Sequence, residues 1–312
     1  MPRFDVTIAG ELNLDLILYG LPEKLLPERE LLADGMMLTL GSSSAIVAQN
    51  LASLGSRVGF QSRIGDDPLG QIALDRLRQS GVDISGVRCV PSATTTGLTV
   101  ILHHGAWRNI LTYAGTIQET SWEDLDLEAL ADSRHFHLSS YYLQRGLRSR
   151  IAELFQFLKA KGLTISLDTN DDPEDRWEGG LSEVLRYVDV FLPNEREACK
   201  AAGTDDLESA IQKLSQFVPL VVVKLGRKGS LAQRGTERLA SPSREIEPVD
   251  TVGAGDSFDA GFLHSYVREA DLLTCLANGN MAGALSTTRP GGTEAFRDVD
   301  YREKFFREWG RP

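Results

Sequence analysis

The segment from Asp250 to Phe262 carries residue types suited to chemistry on a phosphate group. It reads Asp-Thr-Val-Gly-Ala-Gly-Asp-Ser-Phe-Asp-Ala-Gly-Phe. The small residues at positions 253–255 let the backbone approach a ligand closely, and the apolar pattern from Phe258 onward predicts that a helix begins here. Because the free N–H groups and the dipole of a helix start attract anions, we predict a site for phosphate oxygens.

One carboxylate, Asp256, lies inside this predicted anion site. As a base it could accept the proton of an alcohol aligned with the terminal phosphate of a nucleotide. The ordinary pKa of Asp is about 3.9, so the position of such a base would matter more than its basicity. On spacing alone, an N-cap beside a glycine turn remains an equal alternative, because Gly-x-Gly is a weak signal.

Composition narrows the class of protein. The 312 residues carry a net charge of −11 and show no basic cluster, which argues against binding to nucleic acid or to an anionic membrane. The three cysteines have neither metal-ligand nor disulfide spacing, which suits a reducing compartment. The N-terminus lacks an apolar signal core, and no run approaches the roughly 20 apolar residues of a membrane span. A soluble cytoplasmic protein is therefore expected.

The strand and helix patterns predict an α/β architecture. Residues 4–8 alternate apolar and polar as a first strand, and from about residue 133 short β-branched runs alternate with helical patterns. Such alternation predicts a mostly parallel sheet with helices on both faces. Ligands of open α/β sheets bind at the carboxyl ends of the strands.

Two β-rich pieces, residues 12–40 and 93–116, interrupt this pattern. The second contains a predicted hairpin turn at His104-Gly105-Ala106. We predict that the two pieces pair into a small β lid that excludes water from the site. The α/β core would then comprise residues 1–11, 41–92 and 117–312.

The run from 250 to 262 resembles the C-terminal signature of the ribokinase-like (PfkB) carbohydrate kinases at essentially every position. Other segments resemble the family in the same order and cover nearly the whole chain. The resemblance implies a ribokinase-like fold and ATP-dependent phosphorylation of a hydroxyl on a small sugar or sugar acid, with Mg²⁺. It also implies that Gly253, Ala254 and Gly255 form an anion hole and that Asp256 is the base.

The same resemblance implies residues around the nucleotide and its ions. Asn194 and Glu197 match an Asn-x-x-Glu motif that organises Mg²⁺, although on the residues alone a helix cap is favoured. The nucleotide would be bordered by Lys224, Gly226 and Gly229 and by Asn280, which could equally be a buried helix residue. In some members a monovalent cation, K⁺, is held at positions that align with Asp250, Val252, Ser286, Arg289, Gly291 and Ala295.

On the sugar side, the resemblance implies that Asp15 and Asn13 bind hydroxyls, because a carboxylate accepts two adjacent hydroxyl hydrogen bonds. Taken alone, they read as polar residues of an exposed strand. Further candidate contacts are Gly41, Ser42, Ser43 and Arg108.

One departure from the family affects the substrate. Ser42 replaces the usual second glycine of the N-terminal signature, and Ile46 replaces the usual Asn. The Ile46 side chain predicts a sugar with a deoxy or less polar group there, or one shifted toward the serines.

Other assignments stay open. The same fold serves nucleosides, and a sugar-binding sensor without turnover would share most of the motifs. The lid offers an exposed β face through which a homodimer could form. The pairs His103-His104 and His135-x-His137 invite a metal interpretation. Adjacent histidines in a predicted hairpin are usually just exposed, and for His135 and His137 a structural role is favoured because no third ligand is near.

Overall fold

The computed structural model describes residues 2–91, 94–104 and 107–310. Within these ranges the strands are β1 (Phe4–Ala9), β2 (Leu14–Leu21), β3 (Gly35–Leu40), β4 (Val58–Gly65), β5 (Asp83–Val90), β6 (Leu98–His104), β7 (Trp107–Tyr113), β8 (Ser133–Leu138), β9 (Thr164–Leu167), β10 (Val190–Phe191), β11 (Leu220–Lys224), β12 (Ser230–Arg234) and β13 (Glu237–Ser241). The α-helices are α1 (Ser43–Ser53), α2 (Pro68–Ser80), α3 (Leu127–Ala131), α4 (Ile151–Ala160), α5 (Leu181–Val184), α6 (Glu195–Ala202), α7 (Leu207–Leu214), α8 (Ala254–Tyr266), α9 (Leu272–Thr287), α10 (Glu294–Arg297) and α11 (Val299–Trp309).

The main sheet follows the order β13-β12-β11-β10-β9-β8-β1-β4-β5. The pairings from β11 through β5 are parallel, whereas β12 and β13 add antiparallel strands at one edge. This confirms the predicted mostly parallel sheet. The carboxyl ends of the parallel strands meet at one edge, where polar residues such as Asp168 and Lys224 follow or end the strands.

Apolar side chains cover both faces of this sheet. In β11, Leu220 and Val222 pack with α1, α2, α8 and α9, whereas Val221 and Val223 pack with α4, α6 and α7. A strand buried on both faces needs an uninterrupted apolar, β-branched run, which is why this segment reads Leu-Val-Val-Val. The helices thus lie on both faces, as predicted.

A second sheet, with the order β3-β2-β6-β7, lies beside the first. Its strands β2 and β6 are parallel, and β3 and β7 flank them in antiparallel pairing. One row across its inner face holds Thr39, Asp15, Thr99 and Thr112. We refer to this four-stranded sheet as the small sheet. The predicted turn residues Gly105 and Ala106 lie outside the described residues.

Helices α8 and α9 pack unusually closely. A Cβ at Gly261 of α8 would lie 2.5 Å from the Cβ of Ala282 and 2.5 Å from the backbone oxygen of Asn278, both in α9. Only a glycine allows this approach, since real Cβ atoms do not come so near to backbone. The start of α8 is held in register with the rest of the core through this contact.

We therefore expect Gly261→Ala to lower the free energy of unfolding by about 1–3 kcal/mol, since overpacking outweighs the gain in helix propensity. Urea unfolding followed by circular dichroism measures this change. Gly35→Ala is the matched control, because its Cβ would meet nothing closer than 3.9 Å. Its effect should stay within about 0.5 kcal/mol, and equal losses in both variants would contradict the packing argument.

Candidate active site

The start of α8 is fixed by a left-handed turn. Gly253 precedes the helix with φ 70°, and a Cβ there would lie 2.6 Å from the Cα of Gly292. Asn50 of α1 reinforces the position, because its amide nitrogen donates to Ser257 Oγ at 2.9 Å and to the Gly292 carbonyl at 3.0 Å. No sequence motif pointed to Asn50, which lies 207 residues from its partner Ser257 in α8.

A cavity of about 490 Å³ opens at this helix start. Gly255 has an ordinary φ, and a Cβ there would be no closer than 3.6 Å to any neighbour, Lys224 Nζ being the nearest. Folding therefore does not require glycine at this position, whereas the close approach of a ligand to the backbone would. The predicted site residues that line the cavity are Arg108, Asn194, Glu197, Lys224, Gly226, Gly229, Gly253, Ala254, Gly255, Asp256 and Asn280.

Asp256 lies in the first turn of α8 and is buried. Burial raises the pKa of its carboxyl to about 6, and the negative charge of Asp168 adds to this effect. Lys224 and hydrogen bonds from Ser43 and Asn170 oppose the increase in pKa, with Asn170 Nδ2 lying 3.4 Å from Asp256 Oδ1. The carboxyl is therefore a stronger base than an exposed Asp and is still ionised at neutral pH.

The pair Asn194 and Glu197 forms a helix cap and also faces the cavity. Asn194 Oδ1 accepts a hydrogen bond from the backbone N–H of Glu197 at 2.9 Å. Glu197 Oε2 accepts one from the backbone N–H of Asn194 at 2.8 Å. Burial raises the pKa of Glu197 to about 7, and the charge of Asp168 adds to it. The cap interpretation is thus correct for the backbone of α6, and both residues also line the cavity.

The other residues predicted near the nucleotide are each explained by the local geometry of the chain. Gly229 has φ 94°, and a Cβ there would lie 2.0 Å from the Ser241 carbonyl, so glycine is required by the turn. Gly226 is also left-handed, with open space around it. Asn280 Nδ2 donates to the carbonyl of Ser241 at 3.0 Å and so fixes the chain after β13 against α9.

The predicted monovalent cation positions surround Asp250. Its carboxylate accepts hydrogen bonds from Tyr19 Oη at 2.9 Å and from the amides of Gly291 and Val252 at 3.0 Å each. Ser286 Oγ is buried and has no hydrogen-bond partner within the described part of the chain. The Arg289 side chain points elsewhere, since it pairs with Asp298. Tyr19, on the small sheet, was not predicted from sequence.

On the sugar side, Asn13, Asp15 and Gly41 lie together. A Cβ at Gly41 would meet Asp15 Oδ1 at 2.1 Å and Asn13 Nδ2 at 2.8 Å. Burial raises the pKa of Asp15 to about 7, with the charges of Asp256 and Asp250 adding to the effect. The small sheet therefore brings a carboxyl into the electrostatic range of the predicted base.

Arg108 connects the small sheet to the anion loop, since its Nη1 donates to Thr251 Oγ1 at 3.2 Å.

The three serines of the N-terminal signature differ in their contacts. The Ser42 hydroxyl donates to the Glu11 carbonyl and accepts from the Ala45 amide, and the Ser44 hydroxyl donates to the Glu11 carboxylate at 2.7 Å. Of the three, Ser43 acts on Asp256 and lowers the pKa of its carboxyl. Ser42 also has φ 70°, a region of backbone conformation that favours glycine. This conformation explains why the ribokinase-like kinases usually have glycine at this position.

Ile46 packs behind the anion loop. It is buried, and its Cδ1 would lie 3.3 Å from a Cβ at Gly253 and 2.9 Å from one at Gly292. Its apolar side chain therefore supports the glycine turn.

The histidines have structural partners. His135 and His137 are buried and bond to Ser166 Oγ at 2.7 Å each, and His103 stacks on Tyr19. Among the described residues, no group of three or more His, Cys, Asp or Glu side chains is placed to hold a metal ion. None of the described helices combines the length and hydropathy needed to cross a membrane.

The family model described as pfkB family carbohydrate kinase matches residues 4–298. The chain belongs to this family. It is 30% identical over 292 residues to an ATP-dependent ribose-1-phosphate kinase of Halopiger xanaduensis, covering 93% of this chain and 94% of that one. It is also 30% identical over 280 residues to a cytidine kinase of Thermococcus kodakarensis, covering 88% and 93%.

The fold agrees with that of known family members. A solved structure of an E. coli protein assigned as ribokinase II, in complex with ATP and Mg²⁺, superposes with a TM-score of 0.85 at 26% identity, covering 98% of this chain and 99% of that one. This PfkB family member therefore has the ribokinase-like fold. Its activity is that of an ATP-dependent carbohydrate kinase.

The contact between Asn170 and Asp256 should set the acid limb of the pH profile. A base must be ionised, so turnover should fall as the pH drops through about 6. Asn170→Leu removes a donor to the carboxylate, which raises the pKa of Asp256 and moves the limb to higher pH. Asn278→Leu, which loses only a contact to Ser265, is the control. An unmoved limb in Asn170→Leu would contradict this assignment.

Proposed function

We propose that this protein transfers the γ-phosphate of ATP to a hydroxyl of a small sugar or sugar acid, with Asp256 as the base. The observation that carries the proposal is the buried carboxyl of Asp256, with a pKa of about 6, at a glycine-rich helix start that opens into a cavity of about 490 Å³. Base and anion-binding groups thus share one helix turn.

In the proposed reaction the substrate oxygen forms a bond to the γ-phosphorus while the bond to the β-bridging oxygen breaks, and ADP leaves with that electron pair. Asp256 accepts the hydroxyl proton and later returns it to solvent. The backbone N–H groups of the segment Gly253–Gly255 stabilise the charge of the transferred phosphoryl group, since a helix start favours anions. The small sheet acts as the lid that excludes water, contacting the loop through Tyr19 and Arg108.

The residues present fit Mg²⁺ bound together with the nucleotide. Glu197 and Asn194 line the cavity and carry carboxylate and amide oxygens, which are the ligand type that Mg²⁺ prefers. Because the described side chains form no chelating cluster of their own, the two residues would hold the ion through its waters and the phosphates. When bound, Mg²⁺ would neutralise phosphate charge.

A monovalent cation such as K⁺ fits the region around Asp250. Ser286 Oγ is orphaned within the described residues, and the carbonyl of Ser286 cannot receive the usual helix hydrogen bond because residue 290 is proline. The ligands would come from the region of Asp250 and Val252 and from the backbone at Ser286, Arg289, Gly291 and Ala295.

For the substrate, Asp15 and Asn13 would bind adjacent hydroxyls, with Ser43 close to the reacting one and Arg108 at the rim. The row of Thr39, Asp15, Thr99 and Thr112 across the small sheet is polar and offers no aromatic ring to stack on a base. This favours a plain sugar. A nucleoside is the second candidate, because a cytidine kinase is among the relatives. A sugar sensor without turnover is disfavoured by the intact Asp256.

The function is tested by ADP release from MgATP, with K⁺ present, across ketoses, aldoses, sugar acids, phosphorylated sugars and nucleosides. We expect one sugar class to give turnover and Asp256→Asn to lower kcat by at least about 10³-fold, a loss in the range of removed general bases. MgATP should still bind to the variant. ATP binding without turnover on any compound would favour the sensor.

We further propose a cytoplasmic homodimer formed through the small sheet. Its outer face is apolar across the strands, and Met36, Leu111 and Tyr113 are 56–68% exposed. Large exposed apolar patches mark interaction sites, and the same face on a second copy would cover it.

We expect Leu111→Asp to weaken self-association at least about 100-fold, because a charge would be buried in the interface. Sedimentation velocity over a concentration series measures this. Leu273→Asp, at a similarly exposed site on α9, should leave the association unchanged. A monomeric parent protein would exclude the dimer.

A further inference from the structure

A buried cluster of three ionisable residues lies beneath the anion loop. Lys224 Nζ is 2.5 Å from Asp168 Oδ2 and 3.3 Å from both carboxyl oxygens of Asp259. The side chains are 11%, 1% and 0% exposed, respectively. They come from three elements, since Lys224 ends β11, Asp168 follows β9 and Asp259 belongs to α8.

Two ionised carboxylates around one ammonium would leave an uncompensated negative charge. Such a charge is costly in a dry interior, and here it would also repel the phosphates of ATP. Asp256 and Glu197 already add acidic groups to the same end of the cavity. A proton held within the pair of Asp168 and Asp259 removes the excess charge.

The contacts indicate which carboxyl holds that proton. Lys224 Nζ lies 2.5 Å from Asp168 Oδ2 but 3.3 Å from both carboxyl oxygens of Asp259, so the ammonium pairs more closely with Asp168. Burial raises the pKa of Asp259 well above its ordinary value. Burial also acts on Asp168, but the Lys224 ammonium keeps the pKa of that carboxyl below the ordinary value. Asp259 is therefore the neutral acid and Asp168 the carboxylate.

The ammonium held by this pair is close to the phosphate end of the site. Lys224 Nζ lies 3.6 Å from the position that a Cβ on Gly255 would take, and it lines the cavity. A cation beside the backbone N–H groups of the loop adds to their attraction for a phosphoryl group.

We propose that Asp259 is a positioning residue, whose carboxylic acid donates a hydrogen bond to Asp168 so that the two together hold the Lys224 ammonium at the phosphate end of the cavity. This inference rests on the proposed kinase function. Asp259 occupies the variable position of the signature and touches no substrate itself. Its spacing of three residues from Asp256 places both on neighbouring positions of one helix face.

The test compares three variants by calorimetric binding of Mg-AMP-PNP and of adenosine, and by kcat on the best sugar. Asp259→Asn keeps the donor, since its amide can bond Asp168, and should remain within 3-fold of the parent. Asp259→Leu removes the donor at similar volume and should weaken AMP-PNP binding and kcat at least 10-fold. Lys224→Met should do the same. Adenosine affinity should stay unchanged throughout.

A matched control is Asp189→Asn, which removes the lysine–aspartate pair of Lys159 and Asp189 away from the cavity. It should change the melting temperature without changing AMP-PNP binding. Equal losses in Asp259→Asn and Asp259→Leu would overturn the proposal, because Asp259 would then act as a carboxylate. Parental values in Asp259→Leu, or equal losses for AMP-PNP and adenosine, would overturn it as well.

The outcome stays decisive in two further cases. If Asp259→Leu does not fold, Asp259→Asn is judged against Lys224→Met, and a shared loss overturns the proposal. If no sugar gives turnover but the AMP-PNP pattern appears, the positioning role stands while the kinase function fails.

Discussion

The close approach of the α8 start to the Gly292 backbone is the constraint on which the site depends. Gly253 must be glycine because a Cβ there would lie 2.6 Å from the Gly292 Cα, and Asn50 bonds to both sides of this contact. Ile46 fills the space behind it. Together these contacts aim a helix start and its Asp256 into one cavity, at the cost of leaving little freedom in backbone geometry.

Acidic side chains outnumber cationic ones at this edge of the sheet. Asp256, Asp15 and Glu197 all have raised pKa values, chiefly because they are buried. These acids would repel the phosphates of ATP if all were ionised, but a neutral Asp259 and the Lys224 ammonium reduce the negative charge. The same burial that raises these pKa values makes Asp256 a usable base near neutral pH.

Besides its proposed role as a lid, the small sheet contacts the loop that precedes α8. Tyr19 and Arg108 bond directly to the loop that precedes α8, so that a movement of the sheet would be transmitted to Asp250 and Thr251. Asp15, on the same sheet, lies close enough for the charge of Asp256 to help raise its pKa. Substrate hydroxyls and the anion loop would therefore be organised by one set of contacts.

The sequence by itself determined the α/β class, the small sheet, the helix start at residues 253–256 and the family, because these follow from periodicity and from a contiguous signature. Only the tertiary structure decided that Ser42 is a cap, that Tyr19 bonds Asp250 and that Asp168, Asp259 and Lys224 form one cluster. Such contacts join segments tens to hundreds of residues apart. Their side-chain directions depend on packing, which no local pattern encodes.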